Sequence, residues 1–477
     1  MKLSKLQVAI LFSFYNLLGC SPSFESNPES TVTIPEEAYC GTAISISGGL
    51  TVTGNAVFTS RKTLKSGSDW YLDYTFNTTP IRHAEFHIYN GSGTLVQCGE
   101  TVADGTFTAQ VPSTSNQQYT IKVYSRAYNS TYKVSVLNDV TNNSPYTVSK
   151  SFSVVTAAPG AIGTLTAEGD DTIDPYIAGG AFNIMNDIYL VNEFLRTNAS
   201  SVGFTVAPKV TAFWKAGFNP NTYRGGQATQ GISYYIPGAY QLYIQGGISG
   251  DVISSDTDHF DDSIIVHEYG HFLEDVYGKT DSPGGSHNGD AVIDARLAWS
   301  EGWANYLQSA VKTGISPAGA SSSVYIDTKG YKQNALDLSG YGSLVVFNMT
   351  DDPASGTTYD SPNMISEGSF REVSISRTLY KTTSPATVTY NYSGTLSCTN
   401  CPSIAIPFKY VWQAFGDGDG VRLGLHSSTR HFRSMGLFNG IFSSIVGASA
   451  DSGLLAGWNV MLTQEMQPTN KDRKSVV

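Results

Sequence analysis

Residues 263–275, SIIVHEYGHFLED, set His267 and His271 four positions apart, with Glu268 directly after the first. On a helix, positions i and i+4 project from one face a single turn apart, so two imidazoles at this spacing can meet one ion. Glu268 stands about 100° round from His267, too far to join them but able to reach a water beside the ion. Asp261 and Asp262 stand where helix caps belong, just before the apolar run Ile264–Val266. With 8 His and 14 Glu in 477 residues, roughly 0.004 chance matches to His-Glu-x-x-His are expected, so coincidence is a poor explanation.

Two histidines do not hold zinc tightly. A catalytic site takes a third protein ligand and leaves the fourth position to water. The metzincin pattern, which places a glycine three residues and a third histidine six residues after the second, is excluded, because Glu274 and Tyr277 occupy those positions. A later stretch, RLAWSEGWANYLQSAV (296–311), reads as a helix whose apolar face holds Leu297, Trp299, Trp303, Tyr306 and Leu307, with Glu301 inside the apolar run. A carboxylate buried there is costly unless it is paired or bound to a metal.

HEYGH followed thirty residues later by SEGWANY resembles a gluzincin metallopeptidase, the class founded on thermolysin. The resemblance implies a zinc-dependent endopeptidase in which His267, His271 and Glu301 bind Zn2+ and Glu268 activates a zinc-bound water to cleave a peptide or protein substrate. Residues 175–315 also resemble a group of exported bacterial proteins that carry this core behind a sandwich domain. Founding members often place an acidic residue four positions after the third ligand; here that position is Asn305, whose amide can accept an imidazole N–H but adds no charge. The oxyanion needs an electrophile besides the metal. His287, in the glycine-rich loop DSPGGSHNGD, is the first candidate, and Arg377 and Tyr380, in REVSISRTLY, are others.

Upstream, residues 41–157 alternate in period two, as in AEFHIY, TLVQCGETV and TFTAQV, and break at Asn-Gly and Asp-Gly turns. That is the pattern of hairpins in an antiparallel sandwich. The order resembles a carboxypeptidase-regulatory-like, prealbumin-type domain, which carries no chemistry of its own. His83 and His87 fall on one face of a strand pair, where a metal site is far rarer than a plain strand histidine. Residues 158–174 read as a linker, and 175–466 as an α+β zincin-like domain whose C-terminal part is mainly helical, followed by a tail over 467–477. The expected fold is therefore multidomain, an all-β sandwich followed by this metallopeptidase-like unit. Within the latter, SYYIPGAYQLYIQ folds back at Pro237-Gly238 into a hairpin, either internal or offering an edge to an extended peptide.

Charged residues make up only 14% of the chain and the formal net charge is −11. No basic field is available to a phosphate backbone, which argues against nucleic acid as a partner. The first twenty residues carry Lys2 and Lys5, an apolar run too short to span a bilayer, and LLGC ending at Cys20. They resemble a bacterial lipoprotein signal peptide, which implies export, lipidation of Cys20 and anchoring to the cell envelope, at the outer membrane or cell surface; the other reading is a secretory signal with a chance cysteine. Residues 21–40 read as a flexible stalk. Cys40, Cys98, Cys398 and Cys401 permit disulfides in an exported chain. FGDGDG (415–420) and DTDHFDD (256–262) have acidic residues at calcium-like spacing, but turns, caps and solvation account for them, and His259, His426 and His431 have no evident partners. The function from another class is a non-catalytic surface lipoprotein, an adhesin or host-factor binder, on a zincin-like scaffold.

Overall fold

The computed structural model describes residues 39–40, 43–67, 69–113, 117–138, 140, 143–154, 160–317, 319–331, 341–351, 366–384, 405–416, 432–449 and 452–465. Cys20 and the signal segment, the stalk up to residue 38, Cys398, Cys401, residues 417–420 of FGDGDG, His426, His431 and the tail lie outside the described residues.

The N-terminal region is rich in strands: β1 (Leu50–Ser66), β2 (Asp69–Pro80), β3 (Glu85–Asn90), β4 (Leu95–Glu100), β5 (Thr106–Val111), β6 (Gln118–Tyr124), β7 (Arg126–Tyr128), β8 (Lys133–Leu137), β9 (Thr147–Ser153) and β10 (Gly160–Ala167). One sheet runs β4-β3-β6-β9, and another runs β10-β1-β2 with β5 also paired to β1. Alternating burial along β5 turns Phe107 inward, where its ring meets Phe86 of β3 at 5.3 Å. A disulfide joins Cys40 to Cys98 on β4, with 5.9 Å between their Cα atoms.

Two features correct the expectation of a self-contained sandwich followed by a linker. Residues 160–167, read as linker, form β10, which lies parallel to β1 from Val52 opposite Gly160 onward. The hairpin β7–β8 leaves the N-terminal sheets and joins the sheet of the following region. Val134 to Leu137 are all buried, and a strand with no polar alternation needs cover on both faces.

That following region contains α1 (Ala178–Ala199), β11 (Val210–Phe213), α2 (Pro220–Tyr223), β12 (Tyr234–Ile236), β13 (Gln241–Tyr243), α3 (Asp262–Leu273), α4 (Ala295–Ile315), β14 (Val324–Thr328), β15 (Ser343–Asn348), α5 (Glu372–Thr383), α6 (Phe408–Phe415), α7 (Met435–Gly447) and α8 (Ser452–Gln464). Its sheet runs β12-β13-β11-β8-β7, with β8 and β11 parallel from Val134 opposite Val210. The sequence-predicted hairpin is β12–β13, with β12 at the sheet's end. The part that follows α4 combines the antiparallel pair β14–β15 with helices.

Close helix packing brings the polar residues of α3 and α4 together. A Cβ on Gly270 of α3 would lie 3.1 Å from Ala304 Cα on α4, so an alanine there would need the helices to part by a few tenths of an ångström, and Trp303 Nε1 donates to the Gly270 carbonyl at 3.1 Å. On the other side of α4, a Cβ on Gly302 would lie 2.7 Å from Ile375 Cβ, so α5 also packs against bare backbone. Among the described residues, no helix is long and apolar enough to cross a membrane.

Candidate metal centre

Helix α3 begins as the sequence suggests, but its cap differs. The Asp261 carbonyl accepts from Ile264 and Ile265 N–H, whereas its carboxylate accepts from the Thr328 N–H at 2.7 Å and the Thr328 hydroxyl, tying the helix start to β14. Every residue from Ser263 to Leu273 is buried, so His267, Glu268 and His271 are all held inside protein.

His267 and His271 turn their Nε2 atoms toward each other at 3.1 Å. Glu301 Oε2, from α4, lies 3.1 Å from His267 Nε2 and 3.2 Å from His271 Nε2. The three atoms form a nearly equilateral triangle. Donors about 2.0–2.1 Å from one tetrahedral ion sit roughly 3.3 Å apart, so the triangle has the dimensions of three corners of such a site. The buried His and Glu groups can hold a metal ion.

Hydrogen bonding on the far side of each ring leaves the Nε2 lone pairs pointing inward. His267 Nδ1 donates to Asn305 Oδ1 at 2.9 Å, the contact expected of Asn305. His271 Nδ1 faces Ser300 Oγ at 3.2 Å, and that hydroxyl donates to Glu274 Oε2 at 2.5 Å. With its own hydrogen directed at Glu274, Ser300 accepts from His271. Two lone pairs and a carboxylate oxygen thus converge on one point, an arrangement that calls for positive charge at the centre. Burial alone would drive a proton off His271, but Glu301 and Glu274 outweigh it and hold the imidazole pKa well above its ordinary value. Burial alone would likewise raise Glu301, yet His287 and His271 hold its carboxyl well below the usual range.

Glu268 does not join this network. It is 0% exposed, and neither of its oxygens has a hydrogen-bond partner among the described residues. Buried carboxylates are normally satisfied, so a bare one adjoining His267 is unusual.

No family model matches the chain, and no curated protein is significantly similar to it. The centre is therefore read from its own geometry.

His287 comes to this centre from the loop before α4. Its Nε2 lies 3.4 Å from Glu301 Oε1, and its Nδ1 lies 2.6 Å from Glu372 Oε2 at the start of α5. In this position it bridges the Glu301 and Glu372 carboxylates, and His287, Glu301 and Glu372 form a second group that could hold a metal ion. Glu372 escaped the sequence reading because nothing local links it to residues seventy positions earlier. Glu274 was open to detection, since a position three after His271 shares its helix face.

Other candidates lie elsewhere. Tyr380 is buried with its hydroxyl 2.8 Å from Thr313 Oγ1, near the far end of α4, so the hydroxyl is engaged away from the centre. Arg377 is buried too, its guanidinium spent on Glu465 at 2.8 Å and on the Ser366 carbonyl. His83 and His87 do not form a pair: His83 packs on Tyr189, while His87 binds Glu85 at 2.6 Å and Tyr89 at 3.0 Å. The aspartates of DTDHFDD are not all solvated, because Asp258 and Asp261 are buried.

Proposed function

We propose that this chain is a zinc-dependent peptidase of gluzincin type, exported and held at the bacterial envelope by lipid on Cys20. Two imidazoles and one carboxylate suit a borderline cation such as Zn2+ better than the hard cations, which prefer oxygen alone. The observation that carries the reading is Glu268, fully buried and unpartnered next to a ligand. A purely structural site needs its ligands and has no use for such a group.

His267, His271 and Glu301 would hold the zinc, which when bound would supply Lewis acidity toward a water and a substrate carbonyl. Glu268 takes the proton from the attacking water and then delivers it to the leaving amine. Asn305 and Ser300 fix the tautomers of the two imidazoles, and His287 positions Glu301. Strand β12, at the end of its sheet, offers an edge to which an extended peptide can add.

One observation favours a second reading, a non-catalytic surface lipoprotein built on a structural metal site. The ligands are as buried as Glu268, with His267 2% and Glu301 1% exposed. Metal content and cleavage of an unfolded generic protein separate the two. Wild type and Glu268→Gln should each hold about one zinc per chain, with cleavage by wild type alone. Equal cleavage by both, or none by either across varied substrates, favours the scaffold.

A further inference from the structure

A second cluster lies at the entrance to α3. Asp256 and Asp258 come from the loop before the helix, and Asp327 from β14, nearly seventy residues later in the chain. One carboxylate oxygen from each lies within 4.8 Å of the others. That is the widest span a single cation bridges with bonds of about 2.4 Å, the calcium–oxygen distance.

Carboxylates gathered on a surface need no ion, but here Asp258 is buried and Asp256 and Asp327 are half-buried, each with one oxygen shut off from solvent. Asp258 is only 4% exposed, and its Oδ1 has no hydrogen-bond partner, while Oδ2 accepts from the Ser233 hydroxyl. Oδ1 of Asp256 and of Asp327 are buried and unpartnered as well. None of the three makes an ion pair among the described residues, although Asp261 adds further negative charge beside them. Burial pushes all three carboxyl groups up; the neighbouring aspartates raise Asp256 and Asp327 further, while Asp258, raised to about 7 by burial and by the Glu268 charge, is held back by hydrogen bonds with Ser233 and Asp256. Enclosed negative charge of this kind is relieved by shared protons or by a cation, and at neutral pH a divalent ion relieves it more completely.

From this geometry we infer a structural divalent-cation site, selective for calcium, formed by Asp256, Asp258 and Asp327 and distinct from the imidazole-bearing centre. All-oxygen, carboxylate-rich ligation suits a hard cation, and calcium gives up its water to such a protein site more readily than magnesium, which dehydrates reluctantly. The ion fastens the loop preceding α3 to β14, next to the Asp261–Thr328 hydrogen bonds that hold the same junction. It acts on stability and on the seating of α3 and leaves the chemistry to the other centre.

The full chain is stripped with EDTA, reloaded with zinc, and titrated with CaCl2 or MgCl2 while the unfolding temperature and bound calcium are followed. Wild type should take up about one calcium per chain and gain about 5 °C at saturation, with a smaller gain in magnesium. Asp327→Asn should lose both the uptake and the gain, whereas His271→Ala should keep them. Asp256→Asn serves as the second variant if Asp327→Asn does not fold. An absence of calcium uptake by wild type overturns the site and leaves protons shared among the carboxylates as the explanation. Uptake of equal strength in the Asp variants overturns it as well.

Discussion

The Ser300 hydroxyl donates to Glu274 across 2.5 Å, and this leaves its oxygen to receive the Nδ1 proton of His271. The tautomer of a proposed ligand is thus set by the carboxylate of the residue that caps the C-terminal end of α3. Removing such support lowers metal affinity by about 10–100-fold in comparable sites. Ser300→Ala and Glu274→Gln should each weaken zinc binding within that range in a chelator competition. Unchanged affinity in both would show that His271 needs no orienting partner.

Gly302 lets α5 approach α4. A Cβ there would sit 2.7 Å from Ile375 Cβ and 3.1 Å from the Glu372 carbonyl, so Gly302→Ala must push back the turn that carries Glu372. Overpacking of this kind costs about 1–3 kcal/mol. Urea unfolding should show a loss in that range, together with weaker zinc retention through the displaced Glu372–His287 contact. A neutral or stabilising effect would mean that α5 is free to shift.

Tyr380 provides a control. Its hydroxyl bonds only to Thr313 among the contacts described for it, so Tyr380→Phe should cost about 1 kcal/mol and leave zinc content and any cleavage rate unchanged. A loss of cleavage with full zinc content would return Tyr380 to the reaction.

His259 predicts the direction of one pH effect. It is fully buried between the rings of Trp214 and Phe260, and burial pushes its pKa down to about 3. An unfolded chain takes up this proton near pH 6.5, well before the folded one. The stabilisation from keeping His259 neutral is therefore complete above about pH 6.5 and is lost as pH falls toward 3, by about 1.4 kcal/mol per unit. Between pH 7 and about 4.5, wild type should lose stability more steeply than His259→Phe. The aspartate cluster is common to both proteins and cancels in the difference. Parallel slopes would contradict the assignment.

What the sequence made legible was local. The i, i+4 spacing of His267 and His271, Glu301 inside an apolar helix, and Asn305 one turn beyond it are all periodicity arguments, and these four residues are brought together. Alternation marked the N-terminal strands for the same reason. Contacts between distant segments left no such trace: the parallel pairing of β8 with β11, Glu372 against His287, and Asp327 beside Asp258 depend on tertiary packing. The Asp261 side chain shows how tertiary context overrides a local rule, since it had a capping role open to it and instead binds Thr328.

The proposed chemistry rests on a single cation held by His267, His271 and Glu301. X-ray absorption at the zinc edge on the purified, zinc-loaded chain measures this most directly. It should report about one zinc per chain, in a nitrogen and oxygen shell near 2.0–2.1 Å with imidazole outer-shell scattering and no sulfur, and Glu301→Gln should weaken binding sharply. A shell without imidazole, or full zinc affinity in Glu301→Gln, would contradict it.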